Sequence, residues 1–350
     1  MTSGRERWTP EESQAWQASR PWIVGCNFIP STALNQIEMW QVGTFDLDTI
    51  ERELGWARGI GFNAIRVFLH DLLWKDDALG LCARIDRFLD AAARHGISTM
   101  LVLFDGVWDP FPKLGPQRAP RPHVHNSGWV QSPGVEALGD PSRHTQLADY
   151  VQGIVGRFRG DSRVLAWDLF NEPDNPNIGT YGGNEPGNKP ELAAALLAKT
   201  FEWARAAGPS QPLTAGVWRG PVRGEGVSEI NRLMLAKSDV ISFHSYFDAA
   251  HVANRIRELG DFGRPLLLTE YLARGAGSEF EAVLPLLKER NVGAFNWGLV
   301  SGKTQTIYPW TSWAHTDDAE PDPWFHDIFR PDGTPYREEE VALIRRLTGV

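Results

Sequence analysis

The sequence predicts an α/β fold, a closed (β/α)8 TIM barrel, on three observations. Eight short runs rich in aliphatic, β-branched and aromatic residues recur along the 350 residues. Helical periodicity fills most of the intervals between them, and the three longest Pro- and Gly-rich connections all follow a strand run. A doubly wound open sheet is the second choice for such a pattern.

In chain order the strand runs are 22–28, 62–69, 98–104, 164–170, 212–217, 240–243, 265–269 and 292–297. Met100-Leu-Val-Leu-Phe104 is apolar on both faces, as expected of a parallel strand covered on both sides. Helical spacing marks 47–58, 82–94, 146–158, 191–206, 251–259 and 280–290, and Gly96 and Gly260 stand where a left-handed C-cap would end a helix before the next strand. No shift of composition marks a second domain, so the expectation is one barrel over 1–350 with a short N-terminal extension, about residues 1–20. The long connections lie near 106–141, 173–190 and 300–335. In a barrel of this kind the loops leaving the C-terminal strand ends build the active site, and loops of such length are usually functional.

Composition narrows the function. Lys plus Arg is 35 against 44 Asp plus Glu, a net charge of -9, which offers a nucleic-acid backbone nothing to attract. The polar start and the brief apolar run 22–24 do not make a signal-peptide core, and no stretch approaches the roughly 18 to 20 apolar residues of a membrane span. The expectation is a cytoplasmic protein with no membrane partner. Cys26 and Cys82 are expected to be free and buried. The outlying number is 15 Trp, beside only 6 Tyr and 4 Met. Trp108, Trp129, Trp310, Trp313 and Trp324 fall in the long connections, and Trp40, Trp74 and Trp218 in or beside others that follow strands, which makes them candidate sugar platforms. Trp56, Trp167 and Trp203 sit inside helix or strand runs and are expected in the core.

Two strand ends carry chemistry. Val164-Leu-Ala-Trp-Asp-Leu-Phe-Asn171-Glu172-Pro173 is a buried run ending in an amide and a carboxylate, with Pro stopping the strand so that Glu172 projects from the rim. Pro265-Leu-Leu-Leu-Thr-Glu270-Tyr271 is a second apolar run ending in a carboxylate. Glycoside cleavage needs such a pair: one carboxyl protonates the leaving oxygen while the other attacks the anomeric carbon or activates water. Their environments must hold one protonated and the other ionised. Asn171, beside the acid, can hydrogen-bond a sugar 2-hydroxyl. A lone Glu at a strand end is more often a cap or an ion pair, but two of them in barrel order are not readily explained that way.

WDLFNEP at 167–173 with LLLTEY at 266–271 resembles the retaining glycoside hydrolases of clan A, especially family 5, the cellulase family. The resemblance implies Glu172, ending the fourth strand, as acid/base and Glu270, ending the seventh, as nucleophile. Gly25-Cys-Asn27 is similar to the family's opening strand. Arg66 in FNAIRVF resembles the second-strand arginine behind the carboxylates. Phe243-His244-Ser-Tyr246 looks like the sixth-strand motif whose Tyr contacts the nucleophile and whose His lines the sugar site, and Trp297 corresponds to the platform under the cleaved sugar. Arg66, His244, Tyr246 and Trp297 are therefore expected to serve substrate binding.

The chain departs from that pattern after the third strand, where the family commonly has a His and this chain has Asp105-Gly-Val-Trp108. Asp105 can take a sugar hydroxyl or cap the turn. Asn184-Glu185-Pro186 repeats the motif letters but follows a Gly-rich run with no strand to hold it. His123-Val-His125 lacks a third metal ligand nearby, and His125 reads better as a loop histidine touching substrate. No phosphate-binding loop is present, and the chemistry needs neither cofactor nor metal.

The reading is thus a retaining hydrolase of β-linked glucosides, mannosides or xylosides, acting by double displacement on a carbohydrate substrate. The alternatives are a transglycosylase on the same residues, or a non-catalytic carbohydrate-binding barrel.

Overall fold

In a computed structural model, which describes residues 5–350, eight parallel strands form one sheet. They are β1 (Val24–Asn27), β2 (Ala64–Phe68), β3 (Ser98–Asp105), β4 (Val164–Asn171), β5 (Leu213–Thr214), β6 (Ile241–His244), β7 (Leu266–Tyr271) and β8 (Gly293–Trp297). The order β5-β4-β3-β2-β1-β8-β7-β6 pairs the first strand with the last, as a barrel requires. The remaining seam, β5 to β6, carries no regular ladder. It is closed by Val217, whose N–H donates to the Ser242 carbonyl while the His244 N–H donates to its own carbonyl.

This seam is where the strand expectation for 212–217 overreaches. After Thr214 the Ala215 amide turns to the Ser238 hydroxyl at 3.2 Å, and Thr214 and Ser242 share a side-chain hydrogen bond of 2.7 Å across the gap. Side-chain oxygens there replace part of the backbone ladder.

The expected helices form with small shifts, for example Leu47–Gly59, His144–Phe158 and Lys189–Ala206. The helix expected from 82 begins at Asp71, where the His70 ring caps the Leu72 amide, and bends at Asp77. Gly96 takes the left-handed turn at φ +68°, but after the helix Ala249–Gly260 it is Gly263, not Gly260, that does so. Helices at Glu229–Lys237 and Glu338–Thr348 also cover the barrel. Cys26 and Cys82 are both free and buried. Among the described residues no helix is long and apolar enough to cross a membrane.

The N-terminal extension is a helix, Pro10–Ala18, started by a capping box in which Thr9 and Glu12 satisfy each other's backbone amides. Met1 to Gly4 lie outside the described residues. Trp16 joins Ile23, Met100, Leu165, Val240, Leu267 and Phe295 in one buried cluster, with Trp8 packed against it, near the N-terminal strand ends. Buried Asp239 pins the extension: its carboxylate accepts from the Trp8 and Leu213 amides at 2.9 and 2.8 Å and pairs with Arg5 and Arg205.

At the opposite end, the connections after β3 and β8 brace each other. The His125 amide donates to Ser312 Oγ, the Trp313 indole to the His125 carbonyl, and the Asn126 amide to the Thr304 carbonyl. Residues distant in sequence thereby share one rim over the C-terminal strand ends.

We expect Trp16→Ala to cost about 3 to 5 kcal/mol, the usual loss for emptying a large aromatic site. Trp16→Phe should cost much less, because the Trp16 indole N–H is buried without a partner. Urea unfolding of the two variants beside the parent protein checks the order.

Candidate active site

The end of β4 is shaped by a close backbone crossing. The Gly106 amide donates to the Asn171 carbonyl, and a Cβ at Gly106 would fall 2.5 Å from the Glu172 carbonyl oxygen, so only glycine fits. Glu172 itself is held at φ +38°, a left-handed conformation that lifts its side chain off the strand and into the rim. β7 reaches the same point by an irregularity. Its pairing with β6 slips between Phe243 and His244, so that Glu270 rather than Thr269 stands opposite His244. Such bulges re-aim side chains next to active sites.

The two carboxylates and His244 converge: one side-chain atom from each of Glu172, His244 and Glu270 lies within 4.8 Å of the others. His244 Nδ1 is 2.8 Å from Glu172 Oε1, and Asn175 Nδ2 donates to Glu172 Oε2 at 2.7 Å. Glu270 has different company. Arg66 Nη1 lies 2.9 Å from its Oε1, and the Tyr246 hydroxyl donates to Oε2 at 2.7 Å.

Burial pushes the Glu172 carboxyl up to about 7, with Asn175 and Arg66 opposing. Burial also raises Glu270, with neighbouring Glu172 acting in the same direction, against Arg66 and Tyr246, which favour its ionised form. His244 is pushed down to about 4 by burial, so its contact with Glu172 joins a neutral imidazole to a carboxyl group.

These three side chains are also compact enough to hold a metal ion. Glu270 already shares both oxygens with Arg66 and Tyr246, however, and that donor set suits a hydrogen-bonded carboxylate better than a metal ligand.

The expected residues divide into those that line the cleft and those that lie beneath it. Arg66 is fully buried and does not face the cleft, which corrects its expected contact with substrate. Its guanidinium holds Asp168 through Nε and Nη2 at 3.0 and 2.8 Å, Asn27 at 2.7 Å and Asn171 at 2.7 Å, besides Glu270. His244 likewise sits below the carboxylates rather than in the lining. Asp105 does line the cleft, but its oxygens are engaged by Asn171, the Trp129 indole, Gln36 and the Val107 amide. It caps the turn and positions two neighbours at once, and burial raises it to about 7.

Asn171, Tyr246, Trp297, Trp108 and His125 all face a cleft of about 380 Å³, within the usual size of a small-molecule site. Asn171 spends one amide hydrogen on Asp105 and one lone pair on Arg66, leaving one of each. Trp297 packs edge-on to Phe68 and Trp129. Trp108 is stacked on Trp313 with centroids 5.4 Å apart and planes at 5°.

Of the expected sugar platforms Trp129, Trp218, Trp310 and Trp313 also line the cleft, together with Asn175, Asn177 and His326, which sequence reasoning did not single out. All of them lie in a long connection or just past a strand end, but Asn and His residues are common in such connections, whereas the excess of Trp stands out. Three expected platforms are instead structural: Trp74 packs beside Tyr150 with its indole on Asp149, and the other two are buried. Trp40 is completely buried with its indole on the Phe68 carbonyl, and Trp324 is buried and stacked on Tyr336. Glu185 of the repeated Asn-Glu-Pro letters pairs with Lys189, away from the two carboxylates. His123 and His125, whose spacing lacked a third metal ligand, both meet Tyr308, His123 Nδ1 at its hydroxyl and His125 Nδ1 at its carbonyl.

Mannan endo-1,4-beta-mannosidase A of Emericella nidulans is 26% identical over 90 residues, a stretch covering 26% of this chain and only 21% of that enzyme. Three solved structures share the fold. A variant of Streptomyces cattleya GH5_18 in complex with Manβ1-4GlcNAc aligns with a TM-score of 0.62 at 15% identity, over 94% of this chain and 80% of that one. The endo-1,4-beta-mannanase of Rhizomucor miehei gives 0.61 at 14%, over 94% and 95%. The exo-beta-1,4-mannosidase of Opitutaceae bacterium strain TAV5 gives 0.61 at 18%, over 93% and 60%. The signature of the cellulase family matches residues 56–302, a span that includes β2 to β8 and both strand-end glutamates, and the chain belongs to glycosyl hydrolase family 5.

Proposed function

We propose that the protein is a retaining β-glycoside hydrolase acting on β-mannosidic linkages, with Glu270 as nucleophile and Glu172 as acid and then base. The observation that carries this reading is the approach of the two strand-end carboxylates to within 4.8 Å. Retaining enzymes hold their carboxyl groups about 5 to 5.5 Å apart, whereas inverting ones leave about 6.5 to 9.5 Å for a water between them. The mannan-acting names of the relatives support mannose as the sugar.

In the first step Glu270 Oε attacks the anomeric carbon as the bond to the leaving oxygen breaks, and that oxygen takes the proton of Glu172. Arg66 and Tyr246 hold the nucleophile ionised and aimed, while burial keeps the proton on Glu172. In the second step Glu172, now ionised, takes a proton from water, whose oxygen displaces Glu270 with a second inversion. Trp297 offers an aromatic face to the apolar side of the sugar ring.

Glu270→Ala should lower kcat on an aryl β-mannoside by about 10⁴-fold or more, as for other members of a concerted catalytic group. Azide should restore part of the turnover, and NMR of the parent reaction should show the β-anomer as first product; initial release of the α-anomer would refute the mechanism. Because Glu172 must carry its proton into the first step and is lifted to about 7, kcat/KM should fall as pH rises through about 7. Glu172→Gln should abolish that limb. Asp105→Ala, which releases Asn171 and Trp129, should cost about 10²-fold in kcat/KM with the fold intact, the scale of an ångström of misplacement. Steady-state kinetics beside a thermal melt tests it.

A further inference from the structure

We propose that His125 and His326 form a pair of uncharged hydrogen-bond acceptors that grip hydroxyl groups of the sugar joined to Glu270, and so help set which sugar the site accepts. The inference rests on the glycosidase reading above and adds two specificity-determining residues to it.

The two rings arrive from different connections, His125 from the one after β3 and His326 from the one after β8. They meet in the cleft wall with centroids 5.3 Å apart. Each Nδ1 points at a backbone carbonyl: His125 at Tyr308, 2.8 Å away, and His326 at Leu272. A carbonyl can only accept, so each Nδ1 carries the hydrogen. A neutral imidazole has one hydrogen, which leaves each Nε2 with a bare lone pair. Burial keeps both rings neutral, pushing His125 down to about 4 and His326 well below its ordinary value, with the nearby Arg274 charge acting in the same direction on His326. Neither Nε2 has a hydrogen-bond partner among the described side chains and backbone.

The pair stands on the nucleophile's side. The His326 ring is 5.6 Å from that of Tyr246, whose hydroxyl bonds Glu270, and Trp310 packs edge-on to Tyr246, His125 and His326 alike. The carboxylates of the cleft are committed. Asp105 is used by protein donors, and Glu172 and Glu270 belong to the reacting centre. Beside His125, the Asn126 carboxamide faces the cleft with its Oδ1 buried and unpartnered. A sugar ring presents adjacent hydroxyl donors, and this wall offers adjacent neutral acceptors that take them without desolvating a charge.

The test uses His125→Asn and His326→Asn, because the Asn amide can keep the donor to the backbone carbonyl while the acceptor at Nε2 is removed. Each variant, after a thermal melt to verify folding, is assayed on an aryl β-mannoside, an aryl β-glucoside and their monodeoxy analogues. Each substitution should lower kcat/KM on the parent glycoside by about 10- to 100-fold, the range for leaving a buried hydroxyl unsatisfied. On the analogue lacking the gripped hydroxyl the same substitution should change kcat/KM by no more than about twofold, and that hydroxyl should differ between the two histidines. Equal losses across every analogue would overturn the proposal. If the parent protein turns over neither glycoside, the glycosidase reading fails, and calorimetric binding of methyl β-mannoside and its deoxy analogues to the same variants decides the inference by itself. Binding that is absent, or unchanged by both substitutions, overturns it.

Discussion

The buried guanidinium of Arg66 is the constraint on which the rest of the site depends. A full positive charge lies in the barrel interior out of reach of water, and its partners are Asp168, Glu270, Asn27 and Asn171. Breaking such a group by losing one side is far more costly than the pair is stabilising, because the remaining charge is then buried alone. The fork geometry therefore ties β1, β2, β4 and β7 to a single arrangement. Orientation passes outward from there. Asn171, held by Arg66, donates to Asp105, and Asp105 in turn accepts the Trp129 indole that packs against Trp297. A side chain at the barrel axis thus aims an aromatic wall at the cleft.

The rim has its own anchor in Arg274, just past β7. Its guanidinium pairs with buried Glu340 of the C-terminal helix and donates to the carbonyls of Trp324, His326 and Asp327. A segment of the connection after β8 that would otherwise be loose is thereby fixed to the barrel, with His326 presented inward. The same connection grips the one after β3 through Gln305, whose side chain accepts from the His123 amide. Length in these connections is not slack, since both are cross-braced by polar groups before any ligand arrives.

Much of this was legible in the sequence for a physical reason. Strands buried on both faces read as continuous apolar runs, and a carboxylate that ends such a run has few structural explanations, so Glu172 and Glu270 stood out. What stayed hidden depends on contacts between segments far apart. The helix Pro10–Ala18 buries only Ser13 and Trp16, too few for a periodic pattern, although its Thr-Pro-Glu-Glu capping letters were a local signal. β5 was too long in the sequence reading because hydroxyl groups of Ser238 and Ser242, not its own residues, decide where its ladder stops. His326 joins His125 only through the meeting of two loops, and Arg66, expected both behind the carboxylates and in substrate binding, takes the first place and not the second. The tryptophans could be counted but not sorted: Trp324 and Trp313 share one connection, yet the first stacks on Tyr336 inside and the second on Trp108 in the cleft.

Two carboxylates buried this close cannot both ionise without strong mutual repulsion. Burial alone would raise both and leave the proton undecided between them. The asymmetry comes from their neighbours. Glu270 faces the Arg66 charge and a Tyr246 hydroxyl that can only stabilise an anion in that position, whereas Glu172 meets an amide and a neutral imidazole, with no cation in contact. The proton therefore settles on Glu172 and the charge on Glu270. On the proposed mechanism that division is already the reactant state of the first step, reached before substrate binds. Once the glycosyl group neutralises Glu270, the repulsion disappears and Glu172 can ionise more readily, which is the protonation state that the second step needs.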